Sequence, residues 1–150
     1  MSVQSQIHAL SPTSQDSTWR GKPNEWLRQL AGPALSKVGV HLVQSICGGV
    51  ENTSRAVAHK LEIARYKIDV KIATHTNVGP YPAFVWRNIR SLERITHIAF
   101  IAIFPSDARA FLVPIDEIPE IALKDSKVPG EKQIVITGEF PPAWMQAHGR

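Results

Sequence analysis

The feature that most constrains the fold is an uninterrupted apolar run, IAFIAIF, at residues 98–104. A continuous apolar segment of this length, bounded by turn-forming residues, is typical of a strand buried inside a sheet. A PSDA turn follows it, and RAFLVPI then returns as the hairpin partner of that strand. No apolar run reaches the about 18 residues that a transmembrane helix needs, so we expect none.

The N-terminal third of the chain has one segment with helical spacing, PNEWLRQLAGPALSKVG. Pro23 suits the start of a helix, and Gly32-Pro33 predicts that this helix is kinked or split in two. Gly39 is interpreted as its C-terminal cap. The next segment, VHLVQSI, alternates apolar and polar residues and therefore predicts a strand, and GGVENTS predicts a turn.

Strand-like segments dominate the rest of the chain. The segment AVAHKLEIARYKIDVKIAT predicts two strands joined by a tight bend at residues 64–66. HTNVGPYP predicts a loop, and AFVWRNIRSLER predicts a strand followed by a short helix. PIDEIPEIAL predicts a helical or turn segment. KQIVITGEF predicts a last strand, and PPAWMQAHGR predicts a terminal segment in which Trp144 packs back against the domain. This order predicts an α/β (α+β) fold with a mixed central β-sheet flanked by helices.

The length of 150 residues suits one domain, which we place at residues 23–150 behind a flexible N-terminal arm at residues 1–22. The arm is rich in Ser, Thr and Gln and has no secretory signal pattern. Cys47 is the only cysteine, which excludes an internal disulfide and a zinc site built from several cysteines. We expect a cytoplasmic location.

The positive charge of the chain is concentrated in one segment. The net charge is +4, and residues 51–94 hold eight Lys or Arg against four acidic residues, whereas the rest of the chain holds nine of each sign. An anionic partner is one interpretation of this distribution, and an ordinary basic surface is the other.

Within this basic segment, KIDVKIATH places an aspartate and a lysine two positions apart in a strand. Because side chains alternate along a strand, Asp69 and Lys71 point to one face, about 7 Å apart, with Ile68 and Val70 on the other. A carboxylate can hold Mg²⁺, and an ammonium group can stabilise charge at a scissile phosphate. A solvated strand face is the alternative, because D-x-K alone is a weak signal.

Three segments together, YKIDVKIATH, PAFVWRNIR and ITHIAFIAIFPSDARAFLVPIDEI, resemble the PD-(D/E)xK (restriction-endonuclease-like) nuclease superfamily, and in particular its small prokaryotic members. The resemblance covers about residues 24–118 and implies a restriction-endonuclease-like core. It also implies a DNA endonuclease that uses Mg²⁺ or Mn²⁺. In that assignment Asp69 and Glu62 bind the metal with the Val70 carbonyl, Lys71 assists the attacking water, and Glu25 orients the site from the first helix.

One departure from the family pattern leaves an alternative open. The family carries an acidic residue about nine positions before the acid of the motif, where this chain has Lys60. Glu62, on the same predicted face, could substitute, and Glu51 lies farther away. Otherwise the site is degenerate, and the chain is a DNA-binding or partner protein that does not cut.

The remaining candidates concern DNA contact and assembly. The residues expected to contact double-stranded DNA are Lys60, Arg65, Lys67, His75, Arg87, Asn88 and Arg90. We interpret Trp86 as a core residue and the scattered histidines, including His41, His59 and His97, as surface or satisfied core residues. We expect a homodimer or higher oligomer, because one active site cuts one strand; the arm and residues 140–145 are the candidate interface.

Overall fold

The computed structural model of the protein describes residues 18–52 and 59–149. The three α-helices of this part are α1 (Glu25–Arg28), α2 (Gly32–Cys47) and α3 (Ala143–Gln146). The strands are β1 (Val50–Glu51), β2 (Leu61–Ile63), β3 (Tyr66–Thr74), β4 (Thr76–Val78), β5 (Tyr81–Ile89), β6 (His97–Ile103), β7 (Ala108–Pro114), β8 (Lys124–Asp125) and β9 (Lys132–Thr137). Single 3₁₀ turns form at Leu92–Arg94, Ile115–Glu117 and Glu120–Ala122. The element types confirm the α+β class.

Helix α2 is longer than the sequence predicted. The helical segment does split, and α2 begins at Gly32 with a proline in its first turn. It does not end at Gly39, and the segment VHLVQSI is its second half rather than a strand. A β-carbon at Gly39 would lie 3.2 Å from the Ile72 side chain and 3.3 Å from that of Val70. Gly39 therefore lets the helix approach β3 closely instead of ending it.

The first sheet has five strands in the order β1-β2-β3-β6-β7. Strands β3 and β6 are parallel, and the other neighbouring pairs are antiparallel. The tight bend at residues 64–66 joins β2 to β3, with Ala64 at φ 51°. The sheet is mixed, as predicted, and the apolar strand β6 lies buried within it.

A second sheet covers the face that the sequence analysis had left to helices. Its order is β4-β5-β9-β8, all antiparallel, and HTNVGPYP, predicted as a loop, forms β4 and the turn into β5. The predicted flanking by helices therefore holds for one face only. The second sheet packs its aromatic residues Phe84 and Trp86 against Phe100 and Phe111 of the first.

Two apolar cores lie on the two faces of the first sheet. On one face α2 contributes Val40 and Val43, which pack with Ile68, Val70 and neighbouring residues. The second core lies between the two sheets.

Both ends of the described chain join these cores. Trp19, which falls in the predicted N-terminal arm, is buried in the first core, so the packed region begins before residue 23. The rest of that arm, residues 1–17, lies outside the described residues. In the segment proposed as an oligomer interface, Met145 is fully buried and Phe140 and Trp144 pack against the second core of their own chain.

Candidate functional site

The centre of the candidate site is the pair Asp69 and Lys71 on β3. The Lys71 Nζ lies 3.3 Å from Asp69 Oδ2 and donates a hydrogen bond of 2.9 Å to the carbonyl oxygen of Asn88. The other carboxylate oxygen of Asp69 accepts a hydrogen bond from the Val70 amide at 2.9 Å. Both side chains face the second sheet, and Asp69 is only 5% exposed. The alternative of a solvated strand face is therefore wrong for Asp69, because the second sheet covers that face.

An irregularity in β5 places the carbonyl of Asn88 over Lys71. The pairing of β5 with β9 shifts register between Trp86 and Ile89. Asn88 adopts a left-handed conformation there, with φ 58°, which a non-glycine residue adopts only in special positions. The indole N–H of Trp86 donates to the Ile101 carbonyl at 3.1 Å and anchors the strand before the irregularity. Trp86 is 1% exposed, so it is a core residue as predicted.

A second irregularity lies at the start of β2. Leu61 is paired with Ile68, and the amide of Lys60 also donates to the Ile68 carbonyl, at 2.8 Å. Two consecutive residues thus contact Ile68, as they do in a β-bulge, and the regular pairing of β2 with β3 ends at Leu61.

His59 lies beside Glu62, just before β2. Glu62 pairs with Lys67 and therefore shares the face of β3 that carries Asp69. The His59 Nε2 lies 3.4 Å from Glu62 Oε2, and the histidine is 5% exposed. His59 and Asp69 are the two buried residues with polar or charged side chains in the described part of the chain. Burial of His59 is one of the two outcomes expected for the scattered histidines.

Six of the seven predicted DNA-contacting residues are exposed. Lys60, Arg65 and Lys67 lie at β2 and the bend into β3, and Arg87, Asn88 and Arg90 lie at the end of β5. The Arg65 guanidinium lies 5.5 Å from the centre of the Tyr66 ring, and Arg90 Nη1 lies 3.3 Å from Glu131 Oε1. Lys67 shares the face of β3 that carries Asp69, and Arg87 precedes Asn88, whose carbonyl accepts the hydrogen bond from Lys71.

Two predicted site residues lie elsewhere. Glu25 Oε2 accepts a hydrogen bond from the Gly21 amide at 2.7 Å, and the neighbouring Asn24 donates to the Phe104 carbonyl. Asp69 pairs instead with Ile98, at the opposite end of β6. Six residues of extended chain separate Ile98 from Phe104, or about 20 Å, so the structure does not bring Glu25 to the pair.

His75 lies at the same distant end of the first sheet as Glu25. Its amide donates to the Ile103 carbonyl, and its ring packs against Phe84 and Phe104. Burial lowers the pKa of His75, and the positive charge of Arg28 lowers it further. His75 is therefore placed to hold a neutral ring between the sheets, about 20 Å along β3 from Asp69.

The metal-binding atoms near the pair are oxygens, the ligand type that a hard divalent cation such as Mg²⁺ prefers. Asp69 and Glu62 supply carboxylates from neighbouring strands, and the Val70 carbonyl points towards β2, as does that of Ile68 two residues earlier. The donors do not converge as they stand: the described residues include no group of three or more His, Cys, Asp or Glu side chains close enough to hold a metal. Asp69 is paired with Lys71, and Glu62 with His59.

A groove lies on the other side of the first sheet. It has a volume of about 500 Å³ and is mainly apolar; its lining residues are Ile46, Cys47, Ile63, Tyr66, Ile68, His97 and Leu112. It contains no carboxylate and is separated from Asp69 by the sheet itself, so we do not assign it to the site.

Comparisons of the chain with known protein families and with curated proteins find no match. No helix in the described residues is long and apolar enough to cross a membrane.

Proposed function

We propose that this chain is a metal-dependent DNA endonuclease with a restriction-endonuclease-like core, in which Asp69 and Lys71 form the centre of the active site. The observation that carries the proposal is the burial of this pair between the two sheets. Asp69 and Lys71 side chains are 7% and 16% exposed. Removing two charges from water costs free energy that their attraction offsets only partly. A fold gains little stability from such a pair, whereas buried charges of this kind cluster at functional sites.

The chemistry assigned to each residue follows from its place. Asp69 and Glu62 offer the oxygen ligands of Mg²⁺ or Mn²⁺, with the Val70 carbonyl as a further donor. When bound, the metal supplies an activated water and stabilises negative charge on the phosphate. The Lys71 ammonium, held at 2.9 Å by the Asn88 carbonyl, supplies a fixed positive charge beside the scissile phosphate. The exposed basic residues on β2, β3 and β5 bind backbone phosphates of double-stranded DNA.

A second candidate function has its own support. Lys60 occupies the position of the expected acid, and the described donors do not converge on one point. A nuclease-fold protein that binds DNA or a partner without cutting it accounts for both observations. It does not account for the burial of Asp69 and Lys71.

A plasmid-nicking assay with Mg²⁺ or Mn²⁺ separates the two functions. The wild-type chain is expected to nick supercoiled DNA only when the metal is present. Asp69→Asn removes the charge at nearly constant volume and is expected to abolish nicking and weaken metal binding. Lys71→Ala is expected to abolish nicking while DNA binding falls only modestly.

Asp125→Asn is the matched control, because it also neutralises an aspartate paired with a lysine, but on the exposed edge strand β8. It is expected to cut at the wild-type rate. Circular dichroism spectra establish that each variant is folded. Metal-independent DNA binding without nicking by the wild type would favour the second candidate function, and wild-type nicking by folded Asp69→Asn would refute the site.

We also propose that the enzyme acts as a homodimer. One site of this kind cuts one strand, and double-strand cleavage needs two. Light scattering of the purified chain, free and bound to DNA, tests this, and a monomer under both conditions would contradict it. Because Met145 is fully buried within its own chain, substitutions there are not a test of the interface.

A further inference from the structure

Asn88 contacts Lys71 through its backbone and not through its side chain. Its carbonyl oxygen accepts the 2.9 Å hydrogen bond from the Lys71 Nζ. The residue itself is exposed, and its side-chain amide makes no hydrogen bond with any residue of the described chain. The contact between Asn88 and Lys71 therefore depends on the backbone conformation at residue 88.

Burial on both sides of Asn88 fixes this conformation. Trp86 and Ile89 both lie in the core between the sheets, although regular alternation along a strand turns residues three apart to opposite faces. The register of β5 against β9 shifts between them, and Asn88 takes up the irregularity in the left-handed conformation, with φ 58°. Asparagine adopts this conformation more readily than most other residues. The backbone alone is therefore a sufficient reason for an asparagine at this position.

The contacts of the Lys71 ammonium group leave one of its donors for a ligand. An ammonium group has three N–H donors. One donates to the Asn88 carbonyl, and the Asp69 carboxylate lies beside another, with Oδ2 at 3.3 Å from the Nζ. These are the polar groups that the described chain places at the Lys71 Nζ, and the side chain keeps 16% of its surface exposed. The first two contacts therefore set the direction in which the third N–H meets an anion.

We propose that Asn88 is a positioning residue, whose left-handed backbone conformation holds the carbonyl that orients the Lys71 ammonium towards a DNA phosphate. The identity of that anion rests on the proposed function, whereas the contact with Lys71 does not. A lysine side chain is a flexible four-carbon stem, and a misplacement of about 1 Å in a reacting site can lower a rate by about 10²-fold. Asn88 thus acts through Lys71, whereas the sequence analysis expected its side chain to contact DNA.

Substitutions that change the conformational preference of residue 88 test the proposal. Asn88→Val makes a φ of 58° unfavourable, because β-branched residues rarely adopt the left-handed region. Asn88→Gly keeps that conformation accessible while it removes the side chain. Ser91→Val is the matched control: Ser91 has nearly the same φ, 55°, but its carbonyl accepts a hydrogen bond from the Arg94 amide instead of from Lys71.

Two measurements are made on each folded variant of the full-length chain. NMR with ¹⁵N-labelled lysine side chains detects the Lys71 Nζ–H signal, which is assigned by its loss in Lys71→Ala and requires neither metal nor DNA. A plasmid-nicking assay with Mg²⁺ gives the rate at saturating DNA, and a separate titration gives the affinity for DNA. The NMR signal reports the position of Lys71 whether or not the chain cuts DNA.

The variants are expected to differ in a defined order. Ser91→Val should keep the wild-type Lys71 signal and nicking rate. Asn88→Val should lose the signal through exchange with water and should nick about 10²-fold more slowly, with little change in DNA affinity. Asn88→Gly should rescue both the signal and the rate. If Asn88→Val does not fold, Asn88→Ala takes its place, and a smaller loss in the same direction is expected.

The possible failures are distinguishable. An unchanged Lys71 signal and nicking rate in folded Asn88→Val would overturn this inference and leave the nuclease proposal standing. An equal loss in Ser91→Val would overturn it as well, because general strain in the segment would account for the effect. Weaker DNA binding by Asn88→Gly with an intact Lys71 signal would also overturn it, in favour of a direct contact with DNA. The expected NMR results from a wild-type chain that does not nick would support the positioning of Lys71 and overturn only the proposed function.

Discussion

If Asp69 and Lys71 are kept for chemistry, replacing both by apolar residues should leave the fold as stable as before. The perturbation is a double-mutant cycle of Asp69→Leu, Lys71→Met and the combined variant. The Lys71 Nζ atom lies 3.3 Å from the Asp69 Oδ2 atom, and both side chains are mostly buried. Because Asp69 is shielded from bulk water, substituting only one member of the pair leaves a buried charge without its partner.

The expected magnitudes differ between the single and the double variants. Lys71→Met leaves the buried Asp69 carboxylate unpaired, which costs about 3–5 kcal/mol of unfolding free energy. Asp69→Leu costs less, about 1–3 kcal/mol, because the Lys71 amine keeps its bond to the Asn88 carbonyl and some access to water. The combined variant removes both charges, so it is expected to lie within about 1 kcal/mol of the wild type or above it. For a chain of this size, 1 kcal/mol corresponds to about 2–4 °C in Tm.

Urea unfolding followed by tryptophan fluorescence measures these differences, because Trp19 and Trp86 are both buried in the folded chain. Metal-dependent nicking is measured on the same samples, and all three variants are expected to be inactive. The reasoning fails if the combined variant is less stable than the wild type by more than about 3 kcal/mol. That result would mean that the fold requires the pair, and its burial would no longer indicate a functional site.

Three further predictions concern other parts of the structure. Gly39→Ala should destabilise the chain by about 1–2 kcal/mol in urea unfolding, because overpacking against β3 outweighs the gain in helix propensity; a stabilised variant would contradict the close approach of α2. In NMR titration the pKa of His75 should lie below 6.5 and should rise in Arg28→Met. Because His75 binds a proton more readily in the unfolded wild-type chain than in the folded one, its contribution to the free energy of unfolding is present above pH 6.5 and is lost as the pH falls below that value. Lys67→Gln should reduce the slope of log affinity for DNA against log salt concentration by about 1 at all sequences, and an unchanged slope would remove Lys67 from the phosphate contacts.

Local signals in the sequence were sufficient for β2, β3, β6 and β7 of the first sheet, but not for the two-residue β1, which lies in the segment predicted as a turn. The apolar run of β6 and its turn into β7 depend only on neighbouring residues, and the alternation along β3 correctly assigned Asp69 and Val70 to opposite faces. The secondary structure of these segments follows from their composition and hydrophobic period, and tertiary contacts do not change it here.

Longer-range packing decided the parts that the sequence did not reveal. In VHLVQSI the buried Val40 and Val43 follow the helical period, but a segment this short also fits the strand period. Gly39 was interpreted as a helix end because its contact with β3 involves residues about 30 positions away in the sequence. The burial of Asp69 was missed for a related reason: the cover comes from β5 of the second sheet, and the packing of one sheet on another leaves no local pattern in the sequence.

The irregularity in β5 has two effects, and only one of them concerns the pair Asp69 and Lys71. The register shift between Trp86 and Ile89 lets both of these side chains lie in the core between the sheets, although they are three residues apart. The same shift places the Asn88 carbonyl 2.9 Å from the Lys71 Nζ. Bulges are common beside active sites, where they redirect a side chain, but burial of Ile89 already gives this one a packing role. The case for a chemical role of Asp69 and Lys71 therefore rests on the burial of the pair itself, which the double-mutant cycle measures directly.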